Sequence, residues 1–358
     1  ERIGLNDSIF TITVNGENPK IFYLLNYLEF EIMVKSPYER REVRMVQILG
    51  HHHISMITKN AKKNNHFYKN ILGLRRVKMS VNQEDPSMYH LFFGDLTGSP
   101  GTGLTFFEIP MAGRTHRGTN AITQIGLLVP SEEALQYWRE RFATLNVKHG
   151  EIINYASRKA LPFEDDEGLR MMLIDNNGDE FPSDWKAWDD SVIAPEHRIL
   201  GMGSIEITVK NLNKLARTLT ELFGFVEVER TEEEAIFQSI KGRKFGEILV
   251  KQLDGPAERA GRGSIHHLAL RVKNEEELRV WEQKVKERGF FASKIIDRHW
   301  FKSLYFRESN GILFELATDG PGFTVDSEIE TLGEKLDLPP FLEERRSEIE
   351  AGLEPLDE

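Results

Sequence analysis

Two histidine-containing stretches of this chain have the residue types and spacing of a metal site. Gly-His-His-His-Ile-Ser occupies 50–55 and Ile-His-His-Leu-Ala-Leu occupies 265–270, and Gly-Ile-Leu-Phe-Glu-Leu follows at 311–316. Each has the pattern of a short β-strand. Two imidazoles and one carboxylate from separate strands can hold one metal ion and leave other coordination positions open. The sequence therefore predicts a metalloenzyme.

The choice of ligands within each histidine pair follows from strand geometry. Neighbours on a strand face opposite sides of a sheet, so one histidine of each pair is expected to point into a cavity and the other is not. We assign His53 and His267 as ligands because each directly precedes an apolar run, with Glu315 as the carboxylate. His52 and His266 are then expected beside the ligands, at the cavity edge.

Glu108 leaves an alternative open. Phe-Glu-Ile at 107–109 resembles Phe-Glu-Leu at 314–316, and Glu108 follows His53 at a distance similar to that between His267 and Glu315. As a fourth ligand, Glu108 would change the class of reaction. As a strand-end carboxylate near solvent, it would have no part in the site.

Composition and charge exclude several classes of function. A formal net charge of −11 over 358 residues argues against nucleic acid or an anionic membrane as the main partner. No apolar run approaches the roughly 20 residues of a membrane-spanning helix. The chain has no cysteine, so a metal must be held by nitrogen and oxygen ligands. We expect a cytoplasmic protein, and the sequence leaves open whether it forms a homo-oligomer.

The chain repeats itself at two different shifts, which keep both identities and the apolar pattern. At a shift of 151 the matching residues are Gly50 with Gly201, Asn60 with Asn211, and Gly73 with Gly224. At a shift of 143 they are Val129 with Val272, Leu135 with Leu278, and Trp138 with Trp281. Four units therefore begin near residues 48, 121, 200 and 263. Each is predicted to be a strand, an amphipathic helix and two or three further strands.

This pattern predicts an α+β protein whose mixed sheets curl around a cavity, because no glycine-rich phosphate loop follows the first strand. The predicted segments are an N-terminal extension (1–45), a first domain of two units (46–185), a linker (186–199), a second domain of two units (200–322) and a C-terminal tail (323–358). From Glu328 onward the tail is predicted to pack as a helix on the outside, with a break at Pro339-Pro340. Our hypothesis is that Met45 is the natural start, which mass spectrometry of the native N-terminus tests.

Comparison of the units indicates where a site would lie. The third unit has Ser204 at the position of His53, and the second unit has Gln124 at the position of His267. The strand that ends in Glu315 is expected to have an apolar counterpart ending near Pro182. Since only the first and fourth units carry metal-type residues, we expect one site, assembled between them.

Over roughly residues 46–345 the chain resembles the vicinal oxygen chelate superfamily (glyoxalase, bleomycin resistance protein and dioxygenase). Within it, the chain is most similar to bacterial two-domain ring-cleaving dioxygenases of hydroquinones and catechols. Besides the histidine and glutamate motifs, the resemblance rests on Tyr-His-Leu-Phe-Phe-Gly-Asp at 89–95, Gly-Ser-Pro-Gly-Thr at 98–102, Gly-Thr at 118–119, Asp-Arg at 297–298 and Gly-Pro-Gly-Phe at 320–323.

The resemblance implies four βαβββ modules paired into two glyoxalase-like domains. It also implies Fe²⁺ held by His53, His267 and Glu315, with a small aromatic substrate and dioxygen as partners. Catalytic roles are implied for four further residues, namely His52, His266, Arg298 and Tyr305. In these roles His266 or Tyr305 moves a phenolic proton, and Arg298 offsets developing negative charge.

Two alternative functions remain open from the sequence. A glyoxalase-type lyase, isomerase or thiol transferase of the same fold would use Mn²⁺, Ni²⁺ or Zn²⁺, with Glu108 as a ligand. A protein that binds an aromatic compound without catalysis would keep its affinity after loss of both histidine ligands. The hypothesis that we carry forward is an extradiol-type dioxygenase, which would serve in detoxification.

Overall fold

The structure is a computed structural model that describes residues 46–356, Ile32–Met33 and Glu42–Val43. The last two segments are short strands, β1 and β2, that pair antiparallel with each other. Residues 46–358 form a compact unit by themselves. Met45 and most of the predicted N-terminal extension lie outside the described residues.

The first two units follow each other along the chain, and each contains one strand, one helix and three further strands. The first unit contains β3 (His51–Thr58), α1 (Ala61–Asn65, continued by a π-helical turn at His66–Ile71), β4 (Arg75–Val81), β5 (Tyr89–Gly94) and β6 (Gly103–Glu108). The second contains β7 (Ala121–Val129), α2 (Glu132–Thr144), β8 (Ile153–Tyr155), β9 (Arg158–Glu164) and β10 (Arg170–Asp175).

The third and fourth units repeat this order. The third contains β11 (Gly201–Val209), α3 (Leu212–Arg217, with a π-helical turn at Thr218–Leu222), β12 (Val226–Arg230), β13 (Glu234–Gln238) and β14 (Glu247–Gln252). The fourth contains β15 (Ser264–Val272), α4 (Glu275–Glu287), β16 (Ile296–Asp297), β17 (Lys302–Arg307) and β18 (Leu313–Thr318). The predicted α+β fold of four βαβββ units is confirmed.

The strands form two eight-stranded mixed sheets. The first has the order β16-β17-β18-β15-β3-β6-β5-β4, and the second has the order β12-β13-β14-β11-β7-β10-β9-β8. The first sheet therefore joins the first unit to the fourth, and the second joins the second unit to the third. The predicted domain boundaries, 46–185 and 200–322, stay a prediction. Each sheet contains one unit from each of these two segments of the chain.

The helices begin at equivalent capping residues in all four units. Asn60, Ser131, Asn211 and Asn274 have extended backbones, and each side chain accepts a hydrogen bond from the backbone N–H three residues later. Such caps satisfy N–H groups that have no partner inside the helix. The repeat seen in the sequence is thus a repeat of local hydrogen bonding. None of the described helices is long and apolar enough to cross a membrane.

The strands of the first sheet have an apolar face and a polar face. Ile54 and Met56 of β3 belong to the buried apolar core that also takes in the helices. The alternate residues His53 and Ser55 point to the other face and are also buried. Because both faces are buried, the sheet can hold polar groups away from water on the side opposite its helices.

A partly buried carboxylate, Asp165, joins the first unit to the second. The Tyr68 hydroxyl donates to Asp165 Oδ2 at 3.1 Å, and the backbone N–H groups of Glu167 and Leu169 donate to Asp165 Oδ1 at 2.9 Å each. Burial raises the pKa of Asp165 from 3.8 to about 6, although the backbone hydrogen bonds act in the opposite direction. The folded state therefore binds this proton more tightly than the unfolded chain, and the associated stability is lost as the pH rises through 6.

We expect Asp165→Asn to raise the free energy of unfolding by about 1–2 kcal/mol at pH 8 and by little at pH 4. The amide can keep all three hydrogen bonds, since its oxygen accepts the two N–H groups and its NH₂ donates to Tyr68. Urea unfolding at the two pH values measures the difference. Asp166→Asn, at the exposed neighbour, is the control. An equal gain at both pH values would contradict the pKa argument.

The C-terminal tail differs from the predicted outer helix. It makes 3₁₀ turns at Phe323–Val325, Ile329–Thr331 and Pro340–Arg345 before α5 (Arg346–Gly352). Pro339 and Pro340 lack the backbone N–H donors that a continuous helix across these positions would need, in agreement with the break predicted there. Gly333, at φ 74°, crosses β4 so closely that a Cβ there would lie 1.8 Å from the Arg76 carbonyl oxygen. The tail is therefore packed tightly against the first unit.

Candidate metal centre

Three side chains from three neighbouring strands meet on the polar face of the first sheet. They are His53 of β3, His267 of β15 and Glu315 of β18, and one potential ligand atom from each lies within 4.8 Å of the others. All three residues are buried. Gly103 makes room for one of them, because a Cβ at that position would lie 2.9 Å from His53 Cβ. The structure thus brings the three predicted ligands together, and among the described residues no other such group is found.

The orphaned atoms of this cluster fit a cation. His267 Nε2 and Glu315 Oε2 lie 2.8 Å apart and His53 Nε2 lies 3.2 Å from the same oxygen. His267 Nε2 and Glu315 Oε2 are buried, and in spite of this short distance neither makes a contact with hydrogen-bond geometry to any described residue. Leaving buried polar atoms unpaired is costly. Two imidazole nitrogens and one carboxylate oxygen form a donor set for a divalent ion that leaves coordination positions free.

The charge states of the cluster suit this role. Burial lowers the pKa of His267 despite the neighbouring carboxylate. Burial alone would raise the pKa of Glu315, but the adjacent imidazoles of His53 and His267 hold it well below its usual range. Near neutral pH the cluster therefore contains a neutral His267 imidazole and an ionised carboxylate, and metal binding requires both forms.

The paired histidines do not alternate across the sheet as predicted. The register of β3 with β15 shifts between Ile265 and His267 and again opposite His52, which marks two β-bulges. A bulge places two residues opposite one, so neighbouring side chains are no longer forced to opposite faces. His52 Nδ1 lies 2.9 Å from His53 Nδ1, and His266 Nδ1 lies 2.8 Å from His267 Nδ1. The strict alternation assumed from the sequence was wrong for both pairs.

His52 sets the tautomer of its neighbour. Its Nε2 lies 3.1 Å from the Thr318 carbonyl oxygen, which can only accept, so Nε2 carries the proton. Burial and the adjacent His53 lower the pKa of His52 to about 3, so the ring is neutral. Its Nδ1 lone pair then accepts the Nδ1–H of His53. This leaves the Nε2 lone pair of His53 facing the cluster, as metal ligation requires.

We expect His52→Phe to weaken metal binding by about 10–100-fold, because the ring volume is kept but the group that fixes the His53 tautomer is lost. Titration of the metal against a chromogenic chelator measures the change. His66→Phe, at an exposed histidine of the helix, is the control. Unchanged affinity in His52→Phe would show that the His52 contact does not orient the ligand.

The other predicted catalytic residues lie on the fourth-unit side of the cluster. The Tyr305 ring is 5.7 Å from the His267 ring, and the Arg298 guanidinium lies 5.5 Å over the Tyr305 ring. Burial and the Glu315 charge raise the pKa of Tyr305, so its hydroxyl stays protonated. The Tyr305 hydroxyl and Glu315 also raise the pKa of Arg298, against the effect of burial. His266 is accessible to solvent, but partial desolvation of its ring by the surrounding protein, together with His267, lowers its pKa to about 4.

Glu108 does not belong to the cluster. It lies opposite Thr58 on β3, five residues along the strand from the pair formed by His53 and Gly103. At roughly 3.3 Å per residue this is about 16 Å along the strand. Its carboxylate accepts the backbone N–H of Ala61 at 2.9 Å, in the first turn of α1. The sequence match to Glu315 was misleading because it ignored the register of the two strands.

A local two-fold relation identifies the residue that does correspond to Glu315. His53 pairs with Ala269 and Ser55 pairs with His267, so the relation exchanges the two histidines. Glu315 lies opposite Ala269, and its counterpart opposite Ser55 is Thr105. The Thr105 hydroxyl lies 2.7 Å from the Ser55 hydroxyl. A short neutral side chain thus occupies the place where a fourth carboxylate would stand.

The second sheet repeats the geometry without the ligands. Gln124 pairs with Glu206 there, as His267 pairs with Ser55 in the first sheet, which agrees with the repeat seen in the sequence. Ser204 takes the place of His53. The counterpart of Glu315 is Met172 on β10, and the counterpart near Pro182 expected from the sequence was wrong.

A cover of aromatic residues lies over the cluster and was not foreseen from the sequence. The Phe301 ring lies 5.2 Å from both the His52 ring and the His53 ring. The preceding residue, Trp300, donates from Nε1 to Asp326 of the tail at 2.8 Å. Lys78 of β4 donates to the same aspartate at 2.7 Å. The tail is therefore linked through Asp326 to the segment that covers the site.

Ser303 is a further residue that sequence reasoning missed. It lies two positions before Tyr305 on β17, and its hydroxyl donates to Glu315 Oε1 in a short hydrogen bond. The hydroxyl orients the carboxylate so that Oε2 faces the two imidazoles. Strand alternation placing residues 303 and 305 on one face was the available indication.

Fold and site together define a protein of four βαβββ units with a cluster of two histidines and one glutamate that could hold a metal ion. The model of the glyoxalase/bleomycin resistance protein/dioxygenase superfamily matches residues 50–173 and 201–316. The chain belongs to this superfamily.

Individual relatives agree with this assignment. The chain is 48% identical over 318 residues to the Bacillus subtilis strain 168 protein named "Putative ring-cleaving dioxygenase MhqA", covering 87% of this chain and 100% of that protein. It is 27% identical to the chlorohydroquinone/hydroquinone 1,2-dioxygenase of Sphingobium indicum, covering 85% and 95% of the two chains. A crystal structure of a "putative dioxygenase" from Bacillus subtilis subsp. subtilis str. 168 superposes with a TM-score of 0.81 at 32% identity, covering 87% of this chain and 99% of that chain.

Proposed function

We propose that this protein is an Fe²⁺-dependent extradiol-type dioxygenase that opens the ring of a hydroquinone or catechol compound. The observation that carries the proposal is the centre of two histidines and one glutamate, with Thr105 at the place of a fourth carboxylate. Three protein ligands leave room for both an aromatic hydroxyl and dioxygen, as a ring-cleaving reaction requires. The names of the relatives support the same reaction class.

The metal would be held by His53, His267 and Glu315. When bound, Fe²⁺ would supply adjacent coordination positions for the substrate hydroxyl and dioxygen and a path for electrons between them. In the overall reaction both oxygen atoms enter the product, and the carbon–carbon bond next to the hydroxyl-bearing carbon breaks.

The residues around the centre supply proton transfer and charge. His266 is neutral, and its Nε2 is not used by the contact with His267, so it can move the phenolic proton. Tyr305 keeps its proton and can donate a hydrogen bond to a developing oxyanion. Arg298 lies beside it and offsets negative charge. Phe301 excludes water from the histidines, which strengthens these electrostatic interactions.

The rival reading as a glyoxalase-type enzyme loses its main support. That reading needed a fourth carboxylate, and Glu108 caps α1 far from the cluster. The proposal includes a role in detoxification and a cytoplasmic location. Assembly of the protein into a homo-oligomer stays a prediction.

Oxygen uptake by anaerobically Fe²⁺-loaded protein tests the proposed function. We expect stoichiometric uptake with methylhydroquinone or catechol, together with loss of aromatic absorbance. Protein loaded with Zn²⁺ is the control, since Zn²⁺ has no redox chemistry. Tight Fe²⁺ binding without oxygen uptake on either substrate would refute the dioxygenase and favour the lyase or transferase branch.

A further inference from the structure

His90 on β5 lies on the same face of the first sheet as the metal cluster and has none of the roles described above. It pairs with Phe107 of β6, and Phe92 pairs with Thr105, so the side chains of all four residues lie on one face. This is the face of the metal cluster, because Thr105 contacts Ser55 there. Phe92 also belongs to the buried group that contains Phe301.

Two phenylalanines hold the His90 ring in place. Its ring centroid lies 4.0 Å from that of Phe92 and 4.1 Å from that of Phe107. The Phe107 ring in turn lies 6.0 Å from the ring of His266, so a chain of ring contacts connects His90 to the metal cluster. With both faces of the imidazole occupied by aromatic neighbours, only its nitrogen-bearing edge can bind another molecule.

That edge has an unused polar atom. His90 Nε2 is buried and has no hydrogen-bond partner among the described residues. Burial holds the pKa of His90 well below its usual range, and the neighbouring His53 and His267 act in the same direction. The ring is therefore neutral, with one N–H donor and one lone pair. A buried, oriented and unpaired hydrogen-bonding group on the face that carries the metal cluster indicates a ligand contact.

The local two-fold relation explains why His90 lacks a protein partner. His90 takes the place in the first unit that Ser303 takes in the fourth. Ser303 donates to Glu315, whereas Thr105 occupies the corresponding position beside His90 and has no carboxylate. Ser303 thus has Glu315 as its acceptor, but the residue at the corresponding position beside His90 is Thr105, whose hydroxyl already bonds to Ser55.

We propose that His90 binds the hydroxyl group of a 1,4-dihydroxybenzene that lies across the ring from the hydroxyl held at the metal centre. This inference rests on the proposed function. β5 is two strands from β3, which is about 10 Å across the sheet, and His90 is level with Ile57, four residues or about 13 Å along β3 from His53. His90 therefore lies well away from the metal ligands. The second hydroxyl of a catechol is adjacent to the first and would stay at the metal end. Only a para-diol presents a hydroxyl at the far end, so His90 favours hydroquinones.

The test compares substrates in His90→Phe and His90→Gln proteins loaded with Fe²⁺. Phenylalanine keeps the aromatic stack and removes the hydrogen bond, whereas glutamine restores an amide donor and acceptor. We expect His90→Phe to lose about 10–100-fold in kcat/KM for methylhydroquinone, with catechol turnover and metal content unchanged, and His90→Gln to recover part of the loss. His66→Phe is the matched control.

A second measurement does not depend on turnover. Under anaerobic conditions we expect wild-type protein to bind hydroquinone at least about tenfold more tightly than phenol, and His90→Phe to bind the two equally. Absence of oxygen uptake by the wild type would refute the proposed function, but this preference would still support the contact. Equal binding of phenol and hydroquinone by the wild type, or equal losses for methylhydroquinone and catechol in His90→Phe, would overturn the inference.

Discussion

Glu315→Gln is expected to remove metal binding and ring cleavage together. The substitution is nearly isosteric and can keep a hydrogen bond with Ser303, but it removes the only charged ligand and leaves two neutral imidazoles. Loss of an outer contact typically costs 10–100-fold in metal affinity, so loss of a ligand should cost at least about 100-fold in affinity and in activity. The His267→Ala protein should behave in the same way.

The change can be measured without substrate. A metal that binds only the folded state adds about 2.7 kcal/mol to the free energy of unfolding at a free concentration of 100 Kd. We expect thermal unfolding of the wild type to shift upward with Fe²⁺ under anaerobic conditions, and that of Glu315→Gln not to shift.

A matched control lies in the second sheet. Glu206 is a buried carboxylate on β11, a central strand of that sheet, and it accepts hydrogen bonds from Thr123 at 2.8 Å and Tyr155 at 3.3 Å. Glu206→Gln should leave metal binding and turnover intact. If the metal-dependent shift in thermal unfolding survives in Glu315→Gln but disappears in Glu206→Gln, the metal binds at the second sheet. That result would refute the metal centre of His53, His267 and Glu315.

Lys78→Met is expected to lower the free energy of unfolding by about 3–5 kcal/mol, which is the usual cost of removing one partner from a buried ion pair. The Lys78 side chain is fully buried, and its ammonium group lies 2.7 Å from Asp326 and 2.8 Å from Asp337. Methionine has a similar volume, so the loss would come from the carboxylates left without their cation. Chemical denaturation of the purified variant measures it.

Two comparisons separate this mechanism from a general defect. Arg345→Met removes a cation from an exposed pair with Glu348 and should cost less than about 1 kcal/mol. Adding Asp337→Leu to Lys78→Met should recover part of the lost stability, because a buried pair can be replaced by apolar groups. A loss below about 1 kcal/mol in Lys78→Met would mean that the carboxylates do not depend on this cation.

The same ion pair has a defined pH dependence. Burial alone would raise the pKa of Asp326, but the hydrogen bonds from Lys78, Trp300 and His299 hold it below its ordinary value. The stability contributed by this carboxylate is therefore present at neutral pH and is lost as the pH falls below the ordinary carboxyl pKa. Since Asp326 joins the tail to Trp300, acid should loosen the cover of the metal centre.

The fold class and the three metal-cluster residues could be predicted because they depend on local pattern and repetition. The capping residues Asn60 and Asn211 and the shift between them reveal the units. The apolar run after each histidine pair reveals the strands. Placing His53 and His267 in one site needed only the comparison with Ser204 and Gln124, which lack metal-binding chemistry.

The register in which the strands pair could not be predicted in the same way. Glu108 and Glu315 lie in similar short motifs, but the pairing of β6 with β3 places Thr105, and not Glu108, opposite Ser55. Strand pairing depends on the lengths of the loops and on bulges, which a motif does not encode. The bulges at His52 and His266 likewise depend on the antiparallel partner strand.

The joining of the first unit to the fourth has a kinetic consequence. The second sheet is built from one continuous stretch, 121–252, whereas the first sheet needs 51–108 and 264–318. Bringing distant segments together costs more loop entropy and slows folding. We expect pulsed hydrogen exchange to protect amides of 121–252 first, and simultaneous protection of both sheets would contradict this order. During synthesis, the early segment 51–108 must wait for its partner strands, so a ribosome that stalls before residue 264 would leave the second sheet complete and the metal centre absent.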